Sequence, residues 1–478
     1  MVDALDAAGL PEELNALDIL LHRGEANPRT RSGIMALEVL DTTPDWDRFQ
    51  NVFENASRRA LRLRQKVVSP TVPTAAPRWV VDPDFNLNFH VRRLRVPEPG
   101  TLREVFDLAE VMLQSPLDIS RPLWTVTLVE GLENGQAAVL LHMSHAVTDG
   151  VGAVEMFANI YDLERNAPPR DQVPLPIPQD LTGNDLARAG FNRLPGVVVG
   201  GLRDALWGAA HLAGRVVRDP VSAVGGVVAY ARSGVRGMSP VAEPSPLLRR
   251  RSLSSRTEAI DIDFSDLRAA AKAAEGSIND AYLAGLTGAL RHYHNELGVP
   301  IEKLRMAVPV NLRAEADPAG GNRFAGVMIA APLGISNPRD RIHNIRMQMC
   351  RRREELAIDM IGTIAPVLSL LPDPILESVA GSIVSGDVQA SNVPVYAGDT
   401  YVAGAKVLRQ YGLGPLPGVA MMAVLISRGG MVTVTTRYDR ASVTEDELWA
   451  KSLVSGFDEV LALGGEGRAI PASFKAAS

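Results

Sequence analysis

Apolar and polar residues change period repeatedly along this chain, and each change marks an element. The run Gly33 to Leu40, "GIMALEVL", suits a strand. Behind it Trp46, Phe49, Phe53, Ala56, Ala60 and Leu63 recur at steps of three and four, with Pro44 near the first turn. That spacing predicts a helix with one apolar stripe, and Arg58, Arg59, Arg62 and Arg64 form its solvated side. Phe85, Leu87, Phe89 and Val91 alternate with Asn86, Asn88, His90 and Arg92, which predicts a half-buried strand. Two apolar runs flank Asn134-Gly135, a hairpin signal, and the second run carries His145 to a strand end. After Gly150, Val151, Val154, Phe157, Ala158 and Tyr161 return to helical spacing. The stretch from His145 to Gly150 therefore connects a strand to a helix, a place where a rigid scaffold presents reactive side chains.

The middle of the chain reads differently. Proline is frequent from 167 to 180, and from 186 to 239 the chain is rich in Gly, Ala and Val with spaced arginines. This predicts a partly helical connection over 181–245, between an N-terminal unit at 1–180 and a C-terminal one at 246–478. Its apolar face either packs on the two units or lies on a lipid surface with the arginines outward. Beyond it, Phe264 to Gly298 reads as two helices broken at Gly276-Ser277, with Ser277 capping the second. Strands are expected at "LRMAVPVNLR", "GVMIAAPLG", "GVAMMAVLISRGG" and "MVTVTTRYD", and an amphipathic helix at "TEDELWAKSLVSGFDEVLALG". No short period repeats, so solenoid architectures are not expected.

Composition narrows the function classes. A chain of 478 residues exceeds one ordinary domain, and 46% hydrophobic with 22% charged residues describes a folded protein rather than a disordered one. The net charge of −6 is spread among interleaved acids and bases, which leaves no electrostatic footprint for nucleic acid. The single cysteine, Cys350, excludes an internal disulfide framework and a thiolate metal cluster; beside Met347 and Met349 it is expected to be buried. Acidic residues and no basic run near Met1 predict a cytosolic protein, and no apolar window is long enough to span a bilayer.

One constellation carries chemistry. His145, three spacers, Asp149 and Gly150 would arise by chance roughly 0.04 times in a chain of this length at ordinary residue frequencies. His142, His145 and Asp149 raise the question of a zinc site. Strand alternation, however, puts His142 on the face of Ser144, opposite His145, so the ligands do not converge and no metal is expected. A Gly-x-Ser-x-Gly nucleophile motif is not recognised.

The block "SPLDISRPLWTVTLVEGLENGQAAVLLHMSHAVTDG" resembles the bacterial wax ester synthase/diacylglycerol acyltransferase family in its Pro-Leu-Asp, Pro-Leu-Trp, Glu-Gly-Leu and His-x-x-x-Asp-Gly elements, in that order. "LNALDILL", "DPDFNLNFHVRRLRVPEPG", "NDAYLAGLTGALR", "AVPVNLR", "GGNRFAGVMIAAPLG", "QASNVP" and "RYDRASVTEDELW" extend the resemblance over most of the chain outside the middle connection. It implies a mixed α/β fold of the CoA-dependent acyltransferase superfamily, with two chloramphenicol-acetyltransferase-like halves and a substrate tunnel between them.

The resemblance also implies roles. Moving an acyl group from a thioester to an alcohol needs a base for the hydroxyl proton, and an imidazole titrates near neutrality. His145 occupies that position, attack is direct because the thioester is already activated, and acyl-CoA serves as co-substrate with no cofactor. Asp149 holds the loop in shape rather than orienting the imidazole, and Gly150 permits the tight entry into the helix. Asn279, Ser391 and Asn392 are candidate oxyanion donors. Pro122, Leu123 and Trp124 match an element associated with the acyl-accepting part of the tunnel, though strand initiation and core packing explain them equally. Asn279 and Asp280 read as a brace of the central helices.

Two positions depart from the family. Ser144 stands where the first of two histidines is usual, and Val395 where glycine follows "SNVP". Ser144 is compatible with activity and is expected to bear on which acceptor fits. The expected activity is acyl transfer from acyl-CoA to a fatty alcohol or diacylglycerol, with the substrates collected at an inner membrane face or a lipid droplet. Esterification of another lipid hydroxyl and a lipid-binding homologue without turnover are the competing expectations.

Overall fold

In the computed structural model, residues 12–72, 74–148, 150–192, 242–311, 324–353, 386–396 and 398–472 are described. They build two seven-stranded sheets and a separate two-stranded one. Strands β1 (Gly33–Leu40), β2 (Gln65–Val68), β3 (Arg78–Val81), β4 (Val91–Arg95), β5 (Trp124–Glu130), β6 (Ala137–Ser144) and β7 (Tyr161–Asp162) precede the middle connection. After it come β8 (Ser255–Asp263), β9 (Leu304–Asn311), β10 (Phe324–Ala331), β11 (Val388–Pro394), β12 (Tyr401–Val402), β13 (Ala405–Leu413), β14 (Met421–Arg428), β15 (Met431–Asp439) and β16 (Ile470–Pro471). The first sheet runs β4-β5-β6-β1-β13-β12-β7 and the second β10-β9-β11-β14-β15-β8-β16.

The second half therefore lends two strands to the first sheet. β13 leaves its own region, pairs antiparallel with β1 from Met35↔Leu413 to Leu40↔Val407, and the chain then returns to the second sheet as β14. Gly412 makes the crossing possible: a Cβ there would stand 2.8 Å from Val424 and 2.9 Å from Ile426. Those β14 side chains reach into the space between the sheets because that methyl is missing.

Each face of the first sheet has its own partner. Met35, Leu37, Val39, Ala138 and Leu140 pack on Phe106, Ala109 and Leu113 of the helix Leu102–Gln114. Val139, Leu141 and Met143 face the helix Trp46–Arg59 through Phe49 and Phe53. The predicted stripe of that helix is real, and Asp45 caps it by accepting from the Arg48 N–H. β5 and β6 form a hairpin around Asn134-Gly135, but through the six residues 131–136, within which Asn134 and Gly135 take positive φ (58° and 70°). In the second half, helices Phe264–Ala273 and Ile278–Glu296 break where expected. Ser277 and Asp280 form a reciprocal capping box at the second helix.

Four expectations change. Arg62 and Arg64, expected on the solvated side of the first helix, lie beyond its end and are buried, their guanidinium groups 4.2 Å from the Trp79 and Phe85 ring centroids. The alternating run from Phe85 to Val91 is not one strand: Leu87–His90 forms a helical turn before β4. The turn lays the His90 ring on Trp124 with centroids 4.6 Å apart, so burial of one ring overrode the period-two pattern. Cys350 is exposed rather than buried, because Ile342, Ile345 and Met349 supply the inner face of the helix Pro338–Arg353. The reading of the middle connection falls mostly on 193–241, outside the described residues. Among the described residues no helix is long and apolar enough to cross a membrane.

Candidate active site

β6 is buried along its whole length and ends at Ser144, so His145 opens the turn at its end. Backbone hydrogen bonds pin that turn on both flanks. The Ser144 N–H donates to the Leu123 carbonyl at 3.0 Å, and the His145 N–H donates to the Ser32 carbonyl at 3.2 Å. The Ser144 hydroxyl accepts from the Ala146 N–H at 3.2 Å and donates to Glu25 Oε1 at 2.7 Å. Ser32 Oγ meets the same carboxylate oxygen at 3.2 Å. Ser144 is 0% exposed and Glu25 2%, so this network lies wholly inside the protein. Burial raises the Glu25 carboxyl above its ordinary range, while the two hydroxyls and Arg31 pull it back.

His145 faces one of two cavities beside the start of β1. The first is 230 Å³, between the first sheet and the central strands β11 and β14 of the second, and its walls include His145, Leu141, Met143, Phe157, Val424 and Ile426. Ser391 and Asn392 line this same cavity. The second is 500 Å³ and carries Arg29, Arg31, Arg249, Arg251 and Arg437 against one acid, Asp439. Gly33 lines the cationic cavity and Ile34 the apolar one; Pro415 lines the apolar cavity and Leu416 the cationic one. Neighbours on a strand point to opposite faces, so the two spaces lie on either side of the start of β1, with His145 on the apolar side.

The expected site residues separate accordingly. His145, Ser391 and Asn392 line one cavity, the histidine from the first sheet and the other two from β11 of the second. Ser144 lines neither cavity and points at Glu25. Pro122, Leu123 and Trp124 are buried: the Leu123 carbonyl supports the turn, and Trp124 Nε1 donates to the Leu63 carbonyl at 2.7 Å. Asn279 and Asp280 sit in the first turn of Ile278–Glu296, away from both cavities, with Asp280 engaged by Ser277 and 3.5 Å from Arg346. Gly150 opens the helix Gly150–Met156. Asp149, the expected loop anchor, lies outside the described residues.

His142 takes the opposite face from His145, as alternation requires. Its Nε2 lies 2.9 Å from where a Cβ on Gly33 would be, it is 3% exposed, and burial pulls its pKa down to about 3. Among the described residues no three His, Cys, Asp or Glu side chains group as a metal site. Glu25, Ser32 and the arginine cluster were invisible in the sequence, since Glu25 and Ser144 are 119 positions apart and no motif joins them.

Comparison with known proteins fixes the ancestry of this arrangement. Residues 4–282 match the wax ester synthase/diacylglycerol acyltransferase catalytic domain, and residues 320–460 match the C-terminal domain of that family. The chain belongs to this family. A Mycobacterium tuberculosis protein provisionally named a diacylglycerol O-acyltransferase is 69% identical over 476 residues, 99% of this chain and 97% of its own length. A second from the same organism, tgs1, named a diacylglycerol O-acyltransferase with similar reserve, is 26% identical over 80% of this chain and 81% of its own. The wax ester synthase/diacylglycerol acyltransferase of Marinobacter aquaeolei VT8 shares the fold with a TM-score of 0.62 at 20% identity, over 95% of this chain and 100% of that one. The first condensation domain of the CDA synthetase shares it at 0.57 and 13% identity, over 96% and 98% of the two chains. The family's two sheet-bearing halves are thus the two sheets described above, with His145 of the family motif at the point where they face each other.

Proposed function

We propose that this chain transfers a long-chain acyl group from acyl-CoA to the hydroxyl of a fatty alcohol or a diacylglycerol, forming a wax ester or a triacylglycerol. The observation that carries this reading is the apolar cavity that His145 lines, with a cationic cavity beginning one residue away along β1. An acyl thioester of CoA is itself two-sided, with an apolar chain and a phosphate-rich nucleotide. The apolar cavity suits chains, and guanidinium groups suit phosphates because their forked N–H donors match phosphate oxygens.

In this scheme His145 accepts the proton of the attacking hydroxyl as its oxygen bonds to the thioester carbonyl carbon. The carbonyl oxygen gathers negative charge and takes hydrogen bonds from Ser391 and Asn392, a role their position in the lining of the same cavity supports. Collapse of the tetrahedral species breaks the carbon–sulfur bond, and the proton on the imidazole leaves with the CoA thiol. The Glu25–Ser144–Ser32 network keeps the turn rigid and does not touch substrate. Both substrates are poorly soluble in water, so the protein works at a membrane or droplet surface.

The test is thiol release by the purified full chain supplied with palmitoyl-CoA and either hexadecanol or diacylglycerol. Ester product with wild type and its loss in His145→Ala support the reading. Unchanged release in His145→Ala overturns the role of the base, and no ester from any long-chain acceptor overturns the function.

A further inference from the structure

The apolar cavity ends in a polar group that the reaction does not use. Glu38 lies on β1 opposite Gln410 on β13. Arg428, at the end of β14, lies beside both, with Nη1 2.6 Å from Gln410 Oε1 and 3.4 Å from Glu38 Oε1. The guanidinium also donates to Thr400 and lies 4.6 Å from the Tyr161 ring centroid, and the Tyr161 hydroxyl donates to Glu38. Glu38, Gln410 and Arg428 are all buried.

Gln410 is the member that faces the cavity. It is 6% exposed and lines the apolar space together with Tyr161 and Tyr396. A guanidinium only donates, so the bond from Arg428 fixes the Gln410 side-chain oxygen toward the arginine and turns its NH2 group the other way. That NH2 group has no protein partner among the described residues. A donor left unmatched in apolar surroundings costs about 1–3 kcal/mol. Here a charged neighbour holds the group in the one orientation that presents it to the cavity.

Its distance from the chemistry follows from the strands. The His145 N–H bonds the carbonyl of Ser32, and Glu38, opposite Gln410, is six residues further along β1. At about 3.3 Å per residue this sets the Cα of Gln410 some 20 Å from that of His145 along the strand direction. The oxygens of a glycerol backbone stay close to the reacting hydroxyl and do not span such a distance, so the amide meets the remote part of a chain.

We propose that the Gln410 amide is a polar subsite for an oxygen atom, as a hydroxyl, carbonyl or ether, carried far along the lipid chain in this cavity. The protein then prefers chain-oxygenated substrates to plain hydrocarbon chains. This rests on the reading of the cavity as a chain-binding site. The oxygen belongs either to the acyl donor or to the alcohol acceptor, and the experiment separates the two.

In one arm ω-hydroxypalmitoyl-CoA is compared with palmitoyl-CoA, each with hexadecanol. In the other, hexadecanediol is compared with hexadecanol, each with palmitoyl-CoA. One neutral hydrogen bond gives a preference of about 3- to 10-fold in kcat/KM for the oxygenated member of one pair. Gln410→Leu is expected to abolish it. Gln410→Glu keeps an acceptor for Arg428 but removes the donor, and it is expected to abolish the preference without unpairing the arginine. Because each result is a ratio within one protein, a lower folded fraction does not imitate it. No preference in either arm, or a preference that survives Gln410→Glu, overturns the subsite. If no pair turns over, the acyl-transfer reading fails by itself, and the subsite is judged by the thermal shift given by ω-hydroxypalmitate against palmitate. A larger shift with the hydroxy acid that disappears in Gln410→Glu supports it, and equal shifts overturn it.

Discussion

The hydroxyl of Ser144 donates to Glu25 Oε1 at 2.7 Å in the interior, directly before the histidine that faces the apolar cavity. Glu25 reaches this point because the helix Ala16–Gly24 ends there, its own N–H bonding the carbonyls of His22 and Arg23. The helix C-terminus carries partial negative charge, which together with burial favours the protonated carboxyl. Ser144 thus serves as an internal strut of the catalytic turn rather than as a wall of the substrate space.

Ser144→Ala is therefore expected to lower kcat several-fold while leaving KM for the acceptor and the acceptor preference nearly unchanged. Removing one neutral hydrogen bond of this kind costs about 0.5–1.5 kcal/mol. Glu25→Ala removes the shared acceptor of both hydroxyls and is expected to cost more, and the two changes together less than their sum. A double-mutant cycle read in both kcat and urea unfolding checks the coupling. Additive effects would show that the two side chains act separately.

Much of the frame was legible in the sequence, and the failures have physical causes. Trp46–Arg59 declared itself because one face of the helix meets a core, so the apolar period survives in the residues, whereas Ile278–Glu296 is buried nearly all round and was announced by its cap at Ser277. β13 did not. Arg409, Gln410 and Gly412 interrupt its alternation, since one side faces the first helix layer while the other meets a polar cluster and the β14 side chains. His145, Ser391 and Asn392 were legible through the family motifs. Glu25 and the arginines of the second cavity were not, because they are assembled from segments far apart in the chain.

The arginines make a prediction of their own. Reversing one of them, as in Arg249→Glu, is expected to raise KM for acyl-CoA about tenfold or more, since a charge-assisted hydrogen bond contributes about 1.5–3 kcal/mol. KM for hexadecanol should stay within about twofold of wild type. The wild-type KM for acyl-CoA should rise with salt and the variant's should rise less, because screening acts on the same charge. Steady-state kinetics at two ionic strengths decide it. Equal effects on both substrates would place the nucleotide elsewhere.

Glu110 and Arg437 join the halves in the buried layer beneath the same cavity. Arg437 Nε lies 3.2 and 3.0 Å from the two carboxylate oxygens, and Ser255 and Thr257 donate to the same group. Glu110→Ala leaves a buried guanidinium uncompensated, a change that costs about 3–5 kcal/mol. The expected outcome is a large drop in Tm. Glu110→Gln, which keeps an acceptor, should fall between that variant and wild type.

The acid side of the stability profile draws on three histidines held below their ordinary range, His142 and His90 buried and His22 half-buried. His142 is pulled down to about 3, and His22 and His90 to about 4, in each case chiefly by burial. An unfolded chain protonates these rings near 6.5, so between that value and the folded pKa the unfolded state binds more protons. Their contribution is present above about pH 6.5 and is lost as pH falls toward 3 or 4. Each ring adds at most about 1.4 kcal/mol per pH unit to the slope in its window. His142→Gln removes one of the three, so its unfolding free energy should fall less steeply than wild type between about pH 6 and pH 4. Urea titrations across that range measure the slope directly. A parallel pair of curves would mean that the His142 ring takes up its proton in the folded state as readily as in the unfolded one.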